Sequence, residues 1–234
     1  MPRAVPPRGP SGTARVAVVG AATPEGIRVR EALARRPVPG IRVDLYGTAR
    51  GEAILGEYAG EARLIQEPAP DEIARHDVVF LCESSETADG IAREIDGSRT
   101  VIDLTGRHAG TGGARLVHTE IRPSPSDGAA HLRVVPHPIA IVLAEILHPL
   151  HRALGVREAV AVVLRPASDF GEEGIDELRQ QTIRLLRFES PPAEIFGDSL
   201  AFNLIPQGRL PGGEAGIERR IASEVAALFG WDDG

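Results

Sequence analysis

Residue types at spacings that chemistry could use are sparse in this chain, and the clearest lie in VAVVGAATPEGIRVREAL. Gly20 follows an apolar run, Gly26 falls inside the next helical pattern, and Thr23 stands midway between them. Glycines at such a strand-to-helix turn let the backbone come close to a dinucleotide diphosphate. Thr23 adds a side chain at the centre of that turn. Thr23, Pro24 and Glu25 also read as a plain helix start: threonine caps, proline suits the first helical position, and glutamate favours the positive end of the dipole. Glu25 then occupies the field an incoming diphosphate would use. Cys82 ends the run HDVVFLC and opens ESSET, so it could face a ligand at the edge of a sheet or be buried as a small hydrophobe. No acid–base partner lies near it in sequence. His148 and His151 share a helical face, with His137 near the start of the same helix, but a metal site would want a further ligand and a second shell. No metal is expected. Ser84 and Ser85 lack the G-x-S-x-G elbow of a serine hydrolase.

Alternating strands and helices would have to position these residues. Val16–Val19, Ile41–Tyr46, Asp77–Cys82, Thr100–Leu104 and Arg133–Val135 read as strands. A helix is expected over 24–36, with Ile27, Val29, Leu33 and Ala34 towards the sheet. That alternation predicts an α/β fold: a Rossmann-like, doubly wound parallel sheet. A long helix follows from about Pro138 to Leu154, stopping at Gly155, with Pro149 implying a kink or break. Ala159–Leu164, AVAVVL, reads as another strand. An amphipathic helix covers Ile175–Leu186, 188–211 reads as loop, and a last helix spans roughly 214–229 with Ile217, Ile221, Val225 and Leu228 on one face. The expected domains are a disordered tail over 1–13, a dinucleotide-type domain over 14–137 and a smaller α+β domain over 138–234.

Composition narrows the chemistry. All 26 basic residues are arginine, so no side chain can form a lysine Schiff base and a standard Walker A site is excluded. A net charge of -7 argues against a general nucleic-acid surface. The one cysteine rules out an intrachain disulfide framework and points to the cytoplasm. The longest apolar run, Ile139–Leu147, contains Glu145 and is too short to span a membrane.

Several segments resemble the aspartate-semialdehyde dehydrogenase family. The Gly20 turn is similar to its G-x-x-G-x-x-G turn, with Thr23 in place of the middle glycine. VPHPIAIVLAEILHPLHRALGV looks like the family segment that begins Asn-Pro-Asn-Cys and ends its helix in Pro-Leu-His. SDFGEEGIDELRQQT resembles the Ser-Gly-Ala-Gly stretch and its helix. Phe202, Asn203, Ile205 and Pro206 match a Phe-Asn-x-Ile-Pro motif. The resemblance covers nearly the whole chain after the tail.

That resemblance implies an NADP-binding domain, with Gly20, Thr23, Gly26, Thr48 and Arg50 at the cofactor. Thr48 and Arg50, in YGTARG, match a Ser-x-Arg that reads the 2′-phosphate; a solvated loop arginine is the plainer alternative. Laying the helix on Pro149-Leu150-His151 puts Pro136 on the family proline, His137 on the asparagine and Pro138 on the nucleophilic cysteine. The family chemistry needs a thiolate there, activated by the helix N-terminus, to attack the aldehyde carbon; hydride then passes to the nicotinamide and phosphate releases the acyl group. Pro138 can do none of this, though it is a good first helical residue. Other family positions are also changed: the glutamine falls at Arg165, the phosphate-binding arginine at Ala109 with Arg107 two residues away, and two asparagines at Leu104 and Arg122. The family's later strand, with its active-site histidine and substrate-binding arginine, has no counterpart to match. The expectation is therefore a C-terminally short, non-catalytic member with a truncated dimerisation domain, forming a homodimer or a heterodimer with a full-length relative. An NADP-dependent oxidoreductase using other residues, such as Cys82 or His137, and a decayed fragment are the alternatives.

Overall fold

The computed structural model describes residues 13–47, 54–94, 99–121, 131–211 and 216–230. The tail up to residue 12, Thr48, Arg50 and Arg122 lie outside the described residues. Two compact units emerge, one taking in the chain through Pro149 together with Glu224 onward, the other Leu150–Ser223.

The first unit starts with β1 (Ala14–Val19), whose pleat divides its side chains between two cores. Val16 and Val18 join Val29, Val43, Leu45 and Ile65 on one face, while Ala17 and Val19 join Ile73, Val79, Leu81, Ala88 and Ile91 on the other. Both faces of the strand are therefore buried, which is why it reads as a continuous apolar run. α1 (Pro24–Arg35) follows and lays Val29 into the first core. β2 (Ile41–Tyr46) pairs with β1 in parallel. β3 (Ile54–Tyr58) and β4 (Glu61–Ile65) form an antiparallel hairpin that sequence reading missed. Its two-residue turn, Ala59 and Gly60, has both φ angles positive, at 54° and 81°, the conformation that matches hairpin twist. The hairpin was hard to see because Leu55 and Leu64 face solvent and blur the alternation.

A short helix, α2 (Pro70–Ile73), leads to β5 (Val78–Leu81), and α3 (Glu86–Glu94) to β6 (Thr100–Asp103). β7 (Ala114–Leu116) was also missed in sequence; β8 (Leu132–Val134) was expected. Among the described residues these form one six-stranded sheet in the order β2-β1-β5-β6-β8-β7, every pair parallel, with the hairpin separate. The fold is thus the doubly wound, Rossmann-like sheet expected from the alternation. The chain leaves β1 in one direction for β2 and returns past it to β5, so a topological switch point lies between the carboxyl ends of β1 and β5. α4 (Pro138–Leu154) follows β8 and continues as one helix through Pro149.

The second unit corrects two expectations. Ala159–Leu164 is not a strand: residues 155–166 adopt no regular structure, because no described strand in this unit offers a ladder partner. The unit is helical rather than α+β among its described residues. The helices do not cover this segment either, as Val160 and Val162 are 89% and 91% exposed. α5 (Gly171–Leu186) begins earlier than expected, and its buried face is polar: Gly174, Glu177 and Gln181. The Glu177 carboxylate accepts backbone N–H bonds from Glu194, Ile195 and Phe196 at 2.7–3.2 Å. Gln181 accepts from Leu200 and Ala201 and donates to the Pro192 and Asp198 carbonyls. The loop over 188–211 is thereby held by side chains, since it has no ladder of its own. α6 (Ile217–Phe229) closes the described chain. No described helix is long and apolar enough to cross a membrane.

Candidate functional site

The carboxyl edge of the sheet gathers the turns after β1, β5, β6 and β8. Gly20 sits at φ 81°, and a Cβ on it would lie 2.8 Å from the Glu83 Cβ and 2.9 Å from the Glu83 nitrogen. Only glycine fits that left-handed, crowded position. A Cβ on Gly26 would run into the Gly20 carbonyl and stand 2.8 Å from the Ala21 Cα, so this glycine lets α1 pack on the turn. The two expected glycines are in place as a structural joint. Thr23 is the N-cap: its hydroxyl oxygen accepts the Gly26 N–H at 3.1 Å and lies 2.8 Å from the Gly20 carbonyl and 3.0 Å from that of Cys82, to which it can donate. The threonine thus ties α1 to the ends of β1 and β5.

Cys82 lies beneath this joint and is buried. Burial, with Glu25, Glu83 and Asp103 nearby, pushes its thiol up to about 12. A thiol so placed stays neutral, which fits the small-hydrophobe reading. Ser85 caps α3 by accepting the Ala88 N–H at 3.1 Å.

After β6 the chain turns on Asp103, which is fully buried. Its carboxylate accepts the Thr105 N–H (2.8 Å), the Thr105 hydroxyl (2.6 Å) and the His108 N–H (3.0 Å), and faces His108 Nδ1 at 3.0 Å. Burial pushes this carboxyl up, but the bonds from Thr105 and His108 together outweigh it and hold the group below the usual carboxylate range. On its other side, His108 Nε2 lies 3.4 Å from Asp89 on α3, and Arg107 Nε contacts both Asp89 oxygens at 2.9 and 3.0 Å. Arg107, two residues from where the resemblance would put a phosphate-binding arginine, is therefore engaged in an ion pair.

The start of α4 is a closed cap. His137 Nδ1 accepts the Ile139 N–H at 3.2 Å and its carbonyl accepts the Ile141 N–H at 3.0 Å. Pro138 takes the first helical position, where a missing N–H costs nothing. Glu224, buried on α6, accepts the His137 N–H at 2.6 Å. Sequence reading missed Glu224. The signal was available, since residue 224 falls on the same helical face as Ile217, Ile221 and Leu228, where an ionisable side chain is out of place. His148 stacks on Phe229 at 5.9 Å, His151 Nδ1 lies 3.1 Å from the Val156 carbonyl, and no group of three described His, Cys, Asp or Glu side chains could hold a metal ion.

A second buried polar cluster, also unforeseen, braces β1, β2 and the entry to β5. Asp44 lies 3.0 Å from His76 Nε2, 3.1 Å from Arg15 and 3.0 Å from Arg42. Burial raises the Asp44 carboxyl, and the bonds from His76, Arg15 and Arg42 bring it below its ordinary value. His76 Nδ1 faces the Glu72 and Ile73 carbonyls, so the buried His76 ring is engaged on both nitrogens, while the Arg42 side chain reaches solvent.

The residues present fit a dinucleotide diphosphate poorly. The N–H groups of Ala21, Thr23 and Gly26 are spent on Tyr46, Gly20 and Thr23, and Pro24 has none. Glu25 puts a carboxylate in the first turn of α1. Thr48 and Arg50, expected at the 2′-phosphate, lie outside the described residues.

Comparison with known proteins supplies the context. No protein-family model matches the chain. Aspartate-semialdehyde dehydrogenase of Synechocystis is 28% identical over 193 residues, covering 82% of this chain and 57% of that relative. The USG-1 protein homologue of Pseudomonas aeruginosa is 29% identical over 219 residues, covering 92% and 65%. A solved structure of a probable aspartate-semialdehyde dehydrogenase from Pseudomonas aeruginosa superposes with a TM-score of 0.77 at 28% identity, covering 93% of this chain and 66% of that one. The chain thus spans about 60% of the length of such relatives. On this identity, coverage and superposition, the chain is a distant homologue, over most of its length, of the aspartate-semialdehyde dehydrogenases and USG-1 proteins.

Proposed function

We propose that the chain is a non-catalytic relative of the aspartate-semialdehyde dehydrogenases that acts by assembly, pairing through its second unit with another copy of itself or with a full-length relative. The observation that carries this reading is the start of α4. Where the resemblance puts a nucleophilic cysteine, Pro138 opens the helix, His137 caps it and Glu224 takes the preceding N–H. None of these groups is a thiolate, and the Cys82 thiol is buried and neutral. The assembly half of the reading is supported by the second unit's surface. Val160 and Val162 are almost fully exposed, as are Phe188 and Phe202 at 100% and 79%. Both phenylalanines are held at left-handed φ angles of 60° and 61°, an uncommon conformation for a bulky residue. An apolar surface of this kind is a liability unless a partner covers it.

The test has two parts. Purified protein is assayed for phosphate-dependent oxidation of aspartate semialdehyde with NADP, and no turnover above background is expected. Light scattering coupled to size exclusion, on the chain alone and mixed with a full-length relative, should show a dimer that Val160→Asp with Val162→Asp disrupts. Turnover that disappears in Cys82→Ser would refute the first half; a monodisperse monomer in both runs would refute the second.

A further inference from the structure

We infer that Thr23, Pro24 and Glu25 form an exclusion device, so that this chain keeps the Rossmann turn as a joint and rejects both NADP and NAD at its switch point. This exclusion does not depend on the role of Pro138. A diphosphate at such a turn needs N–H donors facing outward and a positive local field. The structure diminishes both. The Thr23 side chain occupies the centre of the turn and consumes the Gly26 N–H, which would otherwise be among the first donors of α1. Pro24 supplies no donor at all. The Glu25 carboxylate sits in the same first turn, and Glu83 follows Cys82 across the switch point. Both carboxylates are close enough to disfavour a thiolate on Cys82, and the same fields act on a diphosphate bearing more negative charge. The two glycines do not contradict this. The space at Gly20 is taken by Glu83 and that at Gly26 by the Gly20 carbonyl, so each is required by packing whether or not a ligand binds.

The test is isothermal titration of the full chain with NADP and with NAD, at low salt so that a weak anion site is not masked. The native protein should give no saturable heat with either. Pro24→Ala with Glu25→Gln restores a donor and removes the charge while leaving the threonine cap intact, and Thr23→Gly added to that pair opens the centre of the turn with a residue that still caps adequately. Either variant should gain binding, by roughly tenfold or more in affinity over the native chain. Saturable binding of NADP or NAD by the native protein would overturn the inference. So would silence from a variant whose thermal melt matches that of the native chain, because the exclusion would then not reside in these three residues.

Discussion

Asp103→Ala should remove one of the main braces of the sheet's carboxyl edge. Four hydrogen bonds end on this fully buried carboxylate, two from backbone N–H groups and two facing the Thr105 hydroxyl and the His108 ring. A bond to a charged partner contributes roughly 1.5–3 kcal/mol, but bonds sharing one carboxylate do not add in full. The alanine variant also leaves the Thr105 and His108 N–H groups without an acceptor, at about 1–3 kcal/mol each. The expected cost is about 3–5 kcal/mol, which for a chain of this size is a fall of roughly 6–20 °C in melting temperature. The assay is thermal unfolding followed by circular dichroism, with Asp103→Asn run alongside. The carboxyl is held below its ordinary value of 3.8 in the folded protein, so its contribution is fully present above that value and is lost as pH falls through the lower folded one. The gap between native protein and Asp103→Asn should therefore be widest near neutrality and shrink below about pH 4. An Asp103→Ala melt within about 2 °C of native, the range of an ordinary surface change, would refute the reasoning.

Two further outcomes follow from buried groups elsewhere. The Cys82 thiol, raised to about 12, should resist alkylation at pH 8 in the folded protein and react quickly once unfolded in guanidinium; equal rates in the two states would show that it is neither buried nor neutral. Glu177→Ala frees three backbone N–H groups in the second unit, so amide exchange at Glu194, Ile195 and Phe196 should accelerate and the unit should lose roughly 3 kcal/mol. Unchanged protection at those amides would mean that the loop is held by something other than this carboxylate.

The parts of the fold that sequence reading found are those whose signal is local. An apolar run bounded by glycine marks β1 because both faces of a central parallel strand are buried. Thr23-Pro24-Glu25 marks the start of α1 because capping is satisfied within one turn. The long apolar helix after β8 and its terminal Gly155 were legible for the same reason. The hairpin of β3 and β4 was not, since its outward leucines disguise the pleat. Nor was the polar inner face of α5, because amphipathicity ranks Glu177 and Gln181 as solvent-facing until a loop bends back to be held by them.

The same distinction governs function. The residue types at 137 and 138 suffice to say that these two positions at the head of α4 carry no thiol, since no packing can turn proline or histidine into one. The quiet state of Cys82, the ion pair that engages Arg107 and the Glu224 carboxylate at the head of α4 depend on groups from different elements of the fold. The 159–164 segment shows the converse limit: its residues favour a strand, yet a strand exists only where another backbone completes the ladder, and this unit supplies none among its described residues. Local chemistry is written in the order of the residues, whereas burial, pairing and the field at a titrating group arise only when segments distant in sequence are brought within a few ångströms of each other.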